Sequence, residues 1–298
     1  MGKPTTTFTQ SANRYIAELV NKIGRQEYAS KTYSNPMASL KGGFIDNAND
    51  IEEIYVARLN GVSQNLDGTT NFDKKIPDVK TCYHKQNYSK LYTTTVTDKQ
   101  VRQAFTTSGG VKTLSDEIIA QLHTGAQYDE YIAMRDNLKD IITREEIKTI
   151  NISSVTDNAT AKDFMKKLKT VVAKMSFRNK DFCTFETSAS INSLILFVKP
   201  EMLAELDVEL LASAFNVSAV DIKTRVFVVD SFGDETTEAL LIDRNAFKVH
   251  PTLYNLETAR NAQGMFTNYH LNVEYIISTS IMYNACLFST APGRSRKK

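Results

Sequence analysis

The chain has 298 residues, 42% of them hydrophobic and 23% charged, with 6 Pro and 12 Gly, a make-up that excludes a disordered or fibrous protein. Its 36 Lys and Arg against 34 Asp and Glu leave a formal charge of +2, too little to steer the chain toward nucleic acid or anionic lipid. Cys82, Cys183 and Cys286 lie too far apart for a disulfide framework or a zinc site, and no window offers the ~18 continuous apolar residues of a membrane span.

Residues 1 to 45 are polar and mixed, and Tyr15, Ile16, Leu19, Val20 and Ile23 have the spacing of one short amphipathic helix in an arm. From Ile51 to Val96 the chain reads as a long hairpin, IEEIYVARL facing VKTCYHKQNYSKLYTTTV, with turn chemistry at Asn60-Gly61 and Asp67-Gly68. This hairpin reads as polar on both faces, with no stripe for docking on its own core. Two strands alone are marginal in water, so something outside the subunit is expected to cover it.

A long helix is predicted from Leu114 to Ile142, where Leu114, Ile118, Leu122, Ala126, Ile132, Leu138 and Ile142 recur near a 3.6-residue period. At ~1.5 Å per residue it is a rod of about 40 Å. A second helix, entered through Thr156, Asp157 and Asn158 as candidate caps, places Ala161, Phe164, Met165, Leu168, Val171, Val172 and Met175 on one face. Lys162, Lys166, Lys167 and Lys169 fall on the other and read as a solvated face.

Between Ser190 and Asp243 the pattern alternates strand and helix: LILFV, the helical ELDVELLASAFN, RVFVVD and ALLID. Short runs this apolar are expected to be buried central strands of a compact α/β domain. From Leu271 to Leu287 odd positions are mostly apolar and even ones mostly polar, which reads as one strand of ~55 Å at ~3.3 Å per residue. Its expected partner is Phe247 to Arg260, joined through Asn261 to Gly264. The final Arg294, Arg296, Lys297 and Lys298 read as a solvated basic tail.

Motifs that carry chemistry are missing. Ser108-Gly109-Gly110-Val111-Lys112-Thr113 has Val111 where a phosphate loop needs a glycine. Asp46-Asn47-Ala48-Asn49-Asp50 resembles a calcium loop, but Ala48 cannot ligate and Ile51 stands at the turn glycine. His84, His123, His250 and His270 are isolated in sequence, and the acidic pairs Glu52-Glu53, Glu145-Glu146 and Asp234-Glu235 lack the apolar setting of an acid catalyst. The sequence gives no catalytic, cofactor or metal residue.

Five phrases carry a resemblance: IEEIYV (51 to 56), PDVKTCYH (77 to 84), AELDVELLASAFN (204 to 216), VFVVDSF (226 to 232) and ALLIDRNAFKVHPTLYNLETARNAQGMFTNYH (239 to 270). Their order and wording resemble the major capsid proteins of small short-tailed bacteriophages of the phi-twenty-nine type, over most of the chain from Ile51 to Phe288. The resemblance implies an α+β fold of the Hong Kong 97 type. It further implies an N-terminal arm at 1–45, an extended loop at 46–96, a peripheral domain at 97–153 and 246–288 holding the spine helix and long ribbon, an axial domain at 154–245, and a tail at 289–298.

The function so implied is a major head protein that assembles with itself into hexamers and pentamers of an icosahedral or prolate shell. Its partners would be a scaffolding protein, a portal and packaged double-stranded DNA held non-specifically on the inner face, with no membrane and no cofactor. It would be made in the bacterial host cytoplasm and end in the virion. The expected inter-subunit contacts lie on the hairpin: Ile54, Tyr55, Arg58, Asn60, Gly61, Asp67, Gly68, Phe72 and Tyr83. Relatives continue into an immunoglobulin-like domain, whereas this sequence ends about ten residues past the ribbon. Two other classes stay open, an α/β enzyme with a site assembled from distant residues, and a nucleic-acid-binding virion component.

Overall fold

A computed structural model describes residues 32–46, 50–61, 74, 76–98, 110–144, 147–206, 211, 214–215 and 225–291. The predicted helix of the arm, the hairpin tip with Asp67, Gly68 and Phe72, the helix expected over most of 207–216 and the basic tail lie outside these residues. The chain forms two compact units, one of residues 1–35, 89–130 and 253–274, the other of 36–88, 131–252 and 275–298. Among the described residues no helix is long and apolar enough to cross a membrane.

The first unit holds the opening part of helix α1 (Gly110–Thr143) and parts of strands β3 (Tyr88–Thr97), β8 (Phe247–Asn261) and β9 (Phe266–Thr279). These strands form a three-stranded sheet with β9 in the middle. Side chains tie the strands across this sheet: Thr95 Oγ1 donates to Asn268 Oδ1 at 2.7 Å, and the Arg260 guanidinium grips both oxygens of Asp98 at 2.7 Å. The turn from β8 to β9 closes where Gly264 N donates to Asn261 Oδ1 at 2.7 Å. That asparagine-to-glycine turn is the connection the sequence predicts.

The second unit is built on a mixed five-stranded sheet, order β4-β10-β7-β5-β6, of strands Lys148–Asn151, Ala285–Ser289, Thr237–Asp243, Leu194–Val198 and Val226–Val228. Helix α2 (Asn158–Ser176) covers one face. Its start is fixed by a capping box, with Asp157 accepting from Thr160 N, and its buried stripe is the predicted one, Ala161, Phe164, Met165, Leu168, Val171, Val172 and Met175. These side chains share a core with Leu194, Leu196 and Val198 of β5, Ala239 and Leu241 of β7, and Phe288 of β10. All five residues of β5 are buried, as befits a strand with neighbours on both edges and packing on both faces. Helix α3 (Pro200–Glu205) starts with Pro200 where a missing N–H costs nothing.

The pairing departs from the sequence reading in two places. The predicted hairpin of 51–96 is two structures: β1 (Asp50–Val56) pairs antiparallel with β2 (Val79–Lys85), and β3 leaves to join β9. Asn87 makes the exchange, because its side-chain amide donates to Ile277 O at 2.7 Å and accepts from Ile277 N at 2.9 Å. The single strand expected from Leu271 to Leu287 also breaks. It stops at Thr279, and after a bend in which Ser280 N donates to Ala246 O at 2.8 Å the chain re-enters the five-stranded sheet as β10. Ser280 and Asn284 keep the alternating pattern through the bend, which hides it from any reading of period.

Candidate functional site

Because β1 and β2 pair antiparallel, partners such as Glu52 and Tyr83, or Val56 and Val79, share one face, and alternate residues take the other. The two faces have opposite fates. Ile51, Glu53 and Tyr55 are half-buried and His84 is buried, whereas Asp50, Glu52, Ile54, Val56, Val79, Thr81, Tyr83 and Lys85 are exposed.

The inner face docks by polar contacts. The Glu53 carboxylate accepts from His84 Nε2 at 3.3 Å and from the Ser280 hydroxyl, and Lys248 Nζ sits 3.0 Å from its other oxygen. His84 Nδ1 shares a hydrogen bond of 2.5 Å with Ser278 Oγ. Burial alone would raise the Glu53 pKa, but the bonds from His84, Ser280 and Lys248, with the charge of Lys248, outweigh it and hold it at about 2. Further along, Tyr55 stacks obliquely on Phe185 with ring centres 4.7 Å apart, and its hydroxyl donates to Glu186 O at 3.0 Å. The hairpin, read as having no stripe for docking on its own core, does dock there, through buried charges, hydroxyls and the ring contact of Tyr55 with Phe185, which corrects that expectation.

Ser278, His84 and Glu53 meet in the order of a hydrolytic triad, although they are far apart in sequence. Glu53 is also held by Ser280 and Lys248, and His84 is 4% exposed. The group therefore reads as a tie between β1–β2 and the side chains of Lys248, Ser278 and Ser280.

The outer face is unlike the inner one. Ile54, Val56 and Tyr83 are more than half exposed, Val79 nearly so, and Leu59 and Ile76 on the flanking segments reach 69% and 74%. Large apolar side chains are thus grouped on the solvent side of a two-stranded sheet. Tyr83 donates to Glu52 Oε1 at 2.8 Å, and this bond with the neighbouring charge raises the phenol pKa above its usual value.

Of the residues expected to touch a neighbour, Ile54 and Tyr83 lie on this outer face and Asn60 and Gly61 are exposed beyond β1. Tyr55 points inward, and Arg58 reaches Glu186 at 3.4 Å in its own chain. Asp67, Gly68 and Phe72 lie outside the described residues. Val56, Leu59, Ile76 and Val79 were missed by the sequence reading, yet strand parity counted from exposed Ile54 finds Val56 at once.

The comparisons agree on the kind of molecule. The Phi29-like phage major capsid protein family model matches residues 1–289. The chain is 29% identical to the major capsid protein of Bacillus phage B103 over 285 residues, which covers 93% of this chain and 64% of that protein. It is 25% identical to the major capsid protein of Streptococcus phage Cp-1 over 308 residues, covering 94% of this chain and 84% of the relative. Among solved structures, a chain of the capsid of Staphylococcus phage Andhra superposes with a TM-score of 0.76 at 13% identity, over 91% of this chain and 88% of that one. The fold is of the Hong Kong 97 type, mixed α and β as the resemblance implies. The chain spans less than two thirds of the length of the B103 protein, and it belongs to the Phi29-like phage major capsid protein family.

Proposed function

We propose that this chain is a shell-forming head protein whose copies associate through the outer face of the β1–β2 hairpin. The observation that carries the reading is a two-stranded sheet anchored on one face by Glu53 and His84 while the other presents Ile54, Val56 and Val79 to solvent. An apolar face on a two-stranded ribbon gains most by burial against a neighbour, and a shell repeats that contact around every capsomer.

Family membership supports assembly with itself into hexamers and pentamers, a place in the virion, and a structural role with no catalytic one. It also supports, as finer proposals, synthesis in the bacterial host cytoplasm, a scaffolding protein and a portal as assembly partners, and non-specific contact with packaged double-stranded DNA. In the same reading 1–45 is the arm, 46–96 the extended loop, 97–153 with 246–288 the peripheral domain, and 154–245 the axial domain. Each contact need contribute little, because a subunit held by several neighbours leaves only when all contacts break together.

Deleting Gly61 to Lys75 tests the reading. The shortened subunit is expected to stay folded and soluble and to form no shells by negative-stain microscopy. Intact particles from the deletion would overturn it.

A further inference from the structure

Strand β8 is an outermost strand of the three-stranded sheet, with β9 along one edge. Its other edge changes character along its length. At the start, Val249 O and Pro251 O accept from Gly42 N at 2.8 Å and Ile45 N at 2.9 Å, so the odd-numbered residues direct their backbone groups away from β9. Beyond Pro251 that cover ends. Among the described residues nothing pairs with the outward N–H and C=O groups of Leu253, Asn255, Glu257 and Ala259. Every residue from Leu253 to Asn261 is exposed, including the large apolar side chains of Leu253, Tyr254 and Leu256. Free edges are ordinarily blunted by Lys, Pro, a bulge or a covering segment. From Thr252 to Asn261 there is no Lys and no Pro, the charged residues are Glu257 and Arg260, and Arg260 is already held by Asp98. Such an edge is a template for another strand.

The segment is complementary to itself. Antiparallel pairing about a two-fold axis at Leu256 sets Leu256 against Leu256, Asn255 against Glu257, Tyr254 against Thr258 and Leu253 against Ala259, with no like charges opposed. The odd positions then form the hydrogen-bonded pairs, as their outward backbone requires, and Leu256 falls at a non-hydrogen-bonded pair, where side chains lie closest. Neighbouring centres fit less well. An axis at Glu257 opposes two carboxylates, and one at Asn255 brings Ala259 to Pro251, which has no N–H and whose carbonyl is taken by Ile45. An axis at Thr258 sets Leu256 against Arg260 and runs the ladder into the turn after Asn261. We propose that the edge of β8 from Leu253 to Ala259 pairs antiparallel with the same edge of a second copy, about a two-fold axis at Leu256, joining two three-stranded sheets into one. This contact uses none of the residues of the β1–β2 hairpin and adds a second kind of junction between copies.

Leu256→Cys tests the register in the full-length chain. A non-hydrogen-bonded antiparallel pair holds its Cα atoms about 4.5 Å apart, within disulfide reach. Mild oxidation of shells assembled under reducing conditions is expected to convert the Leu256→Cys chain to a disulfide dimer on a non-reducing gel. The parent, with its own Cys82, Cys183 and Cys286, and a Tyr254→Cys control should stay monomeric. Asn255→Pro removes an outward N–H and no bond to β9, so circular dichroism should be unchanged while shell yield falls about tenfold, since the loss recurs at every junction. Shells of Leu256→Cys that give no dimer would overturn the pairing, as would wild-type yield from Asn255→Pro or a dimer from Tyr254→Cys as abundant as that from Leu256→Cys. The two readings separate cleanly: if the parent forms no shells, the head-protein reading fails, and if shells form while Leu256→Cys stays monomeric, only the β8 junction falls.

Discussion

Strands β5 and β1 are both short and both carry branched aliphatic side chains, yet they end in opposite states. In β5 every residue is buried, while along β1 exposed and half-buried residues alternate over its full length. Composition accounts for part of this, since LILFV has no polar side chain and DIEEIYV has three carboxylates. The neighbours account for the exposure of Ile54 and Val56: β5 lies between β7 and β6 with α2 on one side, and β1 has β2 alone and one covered face. A strand with two edges and two faces satisfied stabilises its own subunit, and one left half satisfied is available to another.

The largest effect that sharpens this contrast is in β5. Phe197 is fully buried and packs against Phe227 and Phe247, with ring centres 5.4 and 5.6 Å away. Phe197→Ala is expected to cost about 3–5 kcal/mol of subunit stability, through lost burial and the cavity left behind. Urea unfolding at concentrations too low for assembly measures it. A loss under about 1 kcal/mol would mean that the sheet is not the core of this unit.

Next comes the anchored face of the hairpin. Glu53→Gln keeps the shape but removes the charge that Lys248 and His84 face, at an expected cost of about 1–3 kcal/mol. The carboxyl is held at about 2 against an ordinary 4.5, so its stabilisation is complete above about pH 4.5 and declines as pH falls toward 2. Native protein should show that acid-side loss between these values in urea midpoints, and the Gln variant should show a smaller one. Identical acid profiles for the two proteins would remove Glu53 from the anchor.

How much could be read from the sequence follows the same division. The stripe of α2 was legible residue by residue, because a helix docked on one side repeats a single period from Ala161 to Met175 and Asp157 marks its start. The outline of α1 was legible too, although it starts four residues earlier than the apolar period does. The hairpin was not, for two reasons. Its docking is polar, so Glu53 read as one of an acidic pair in polar surroundings and His84 as an isolated histidine, when they are half-buried and buried. The exchange at Asn87 leaves the Tyr and Thr pattern of β2 and β3 unbroken, and a side-chain amide that substitutes for a backbone ladder has no period to detect. The outer face needed one fact, that Ile54 is exposed, after which strand parity gives Val56, and pairing gives Val79.

The smallest effect on stability tests the comparison most directly. Ile54 and Val79 are on the same outer face, with Val79 paired to Val56 and Ile54 to Thr81. Ile54→Ser with Val79→Ser removes apolar surface already in water, so the subunit is expected to unfold within ~0.5 kcal/mol of the parent. Shell yield by microscopy and sedimentation should nevertheless collapse, because those side chains are where a neighbour would gain its burial. The Phe197 variant should behave the other way, losing subunit stability while the subunits that remain folded keep an intact contact face. Should the two serines destabilise the monomer as much as the Phe197 change, the outer face would be serving its own subunit, and the difference between β1 and β5 would be one of degree.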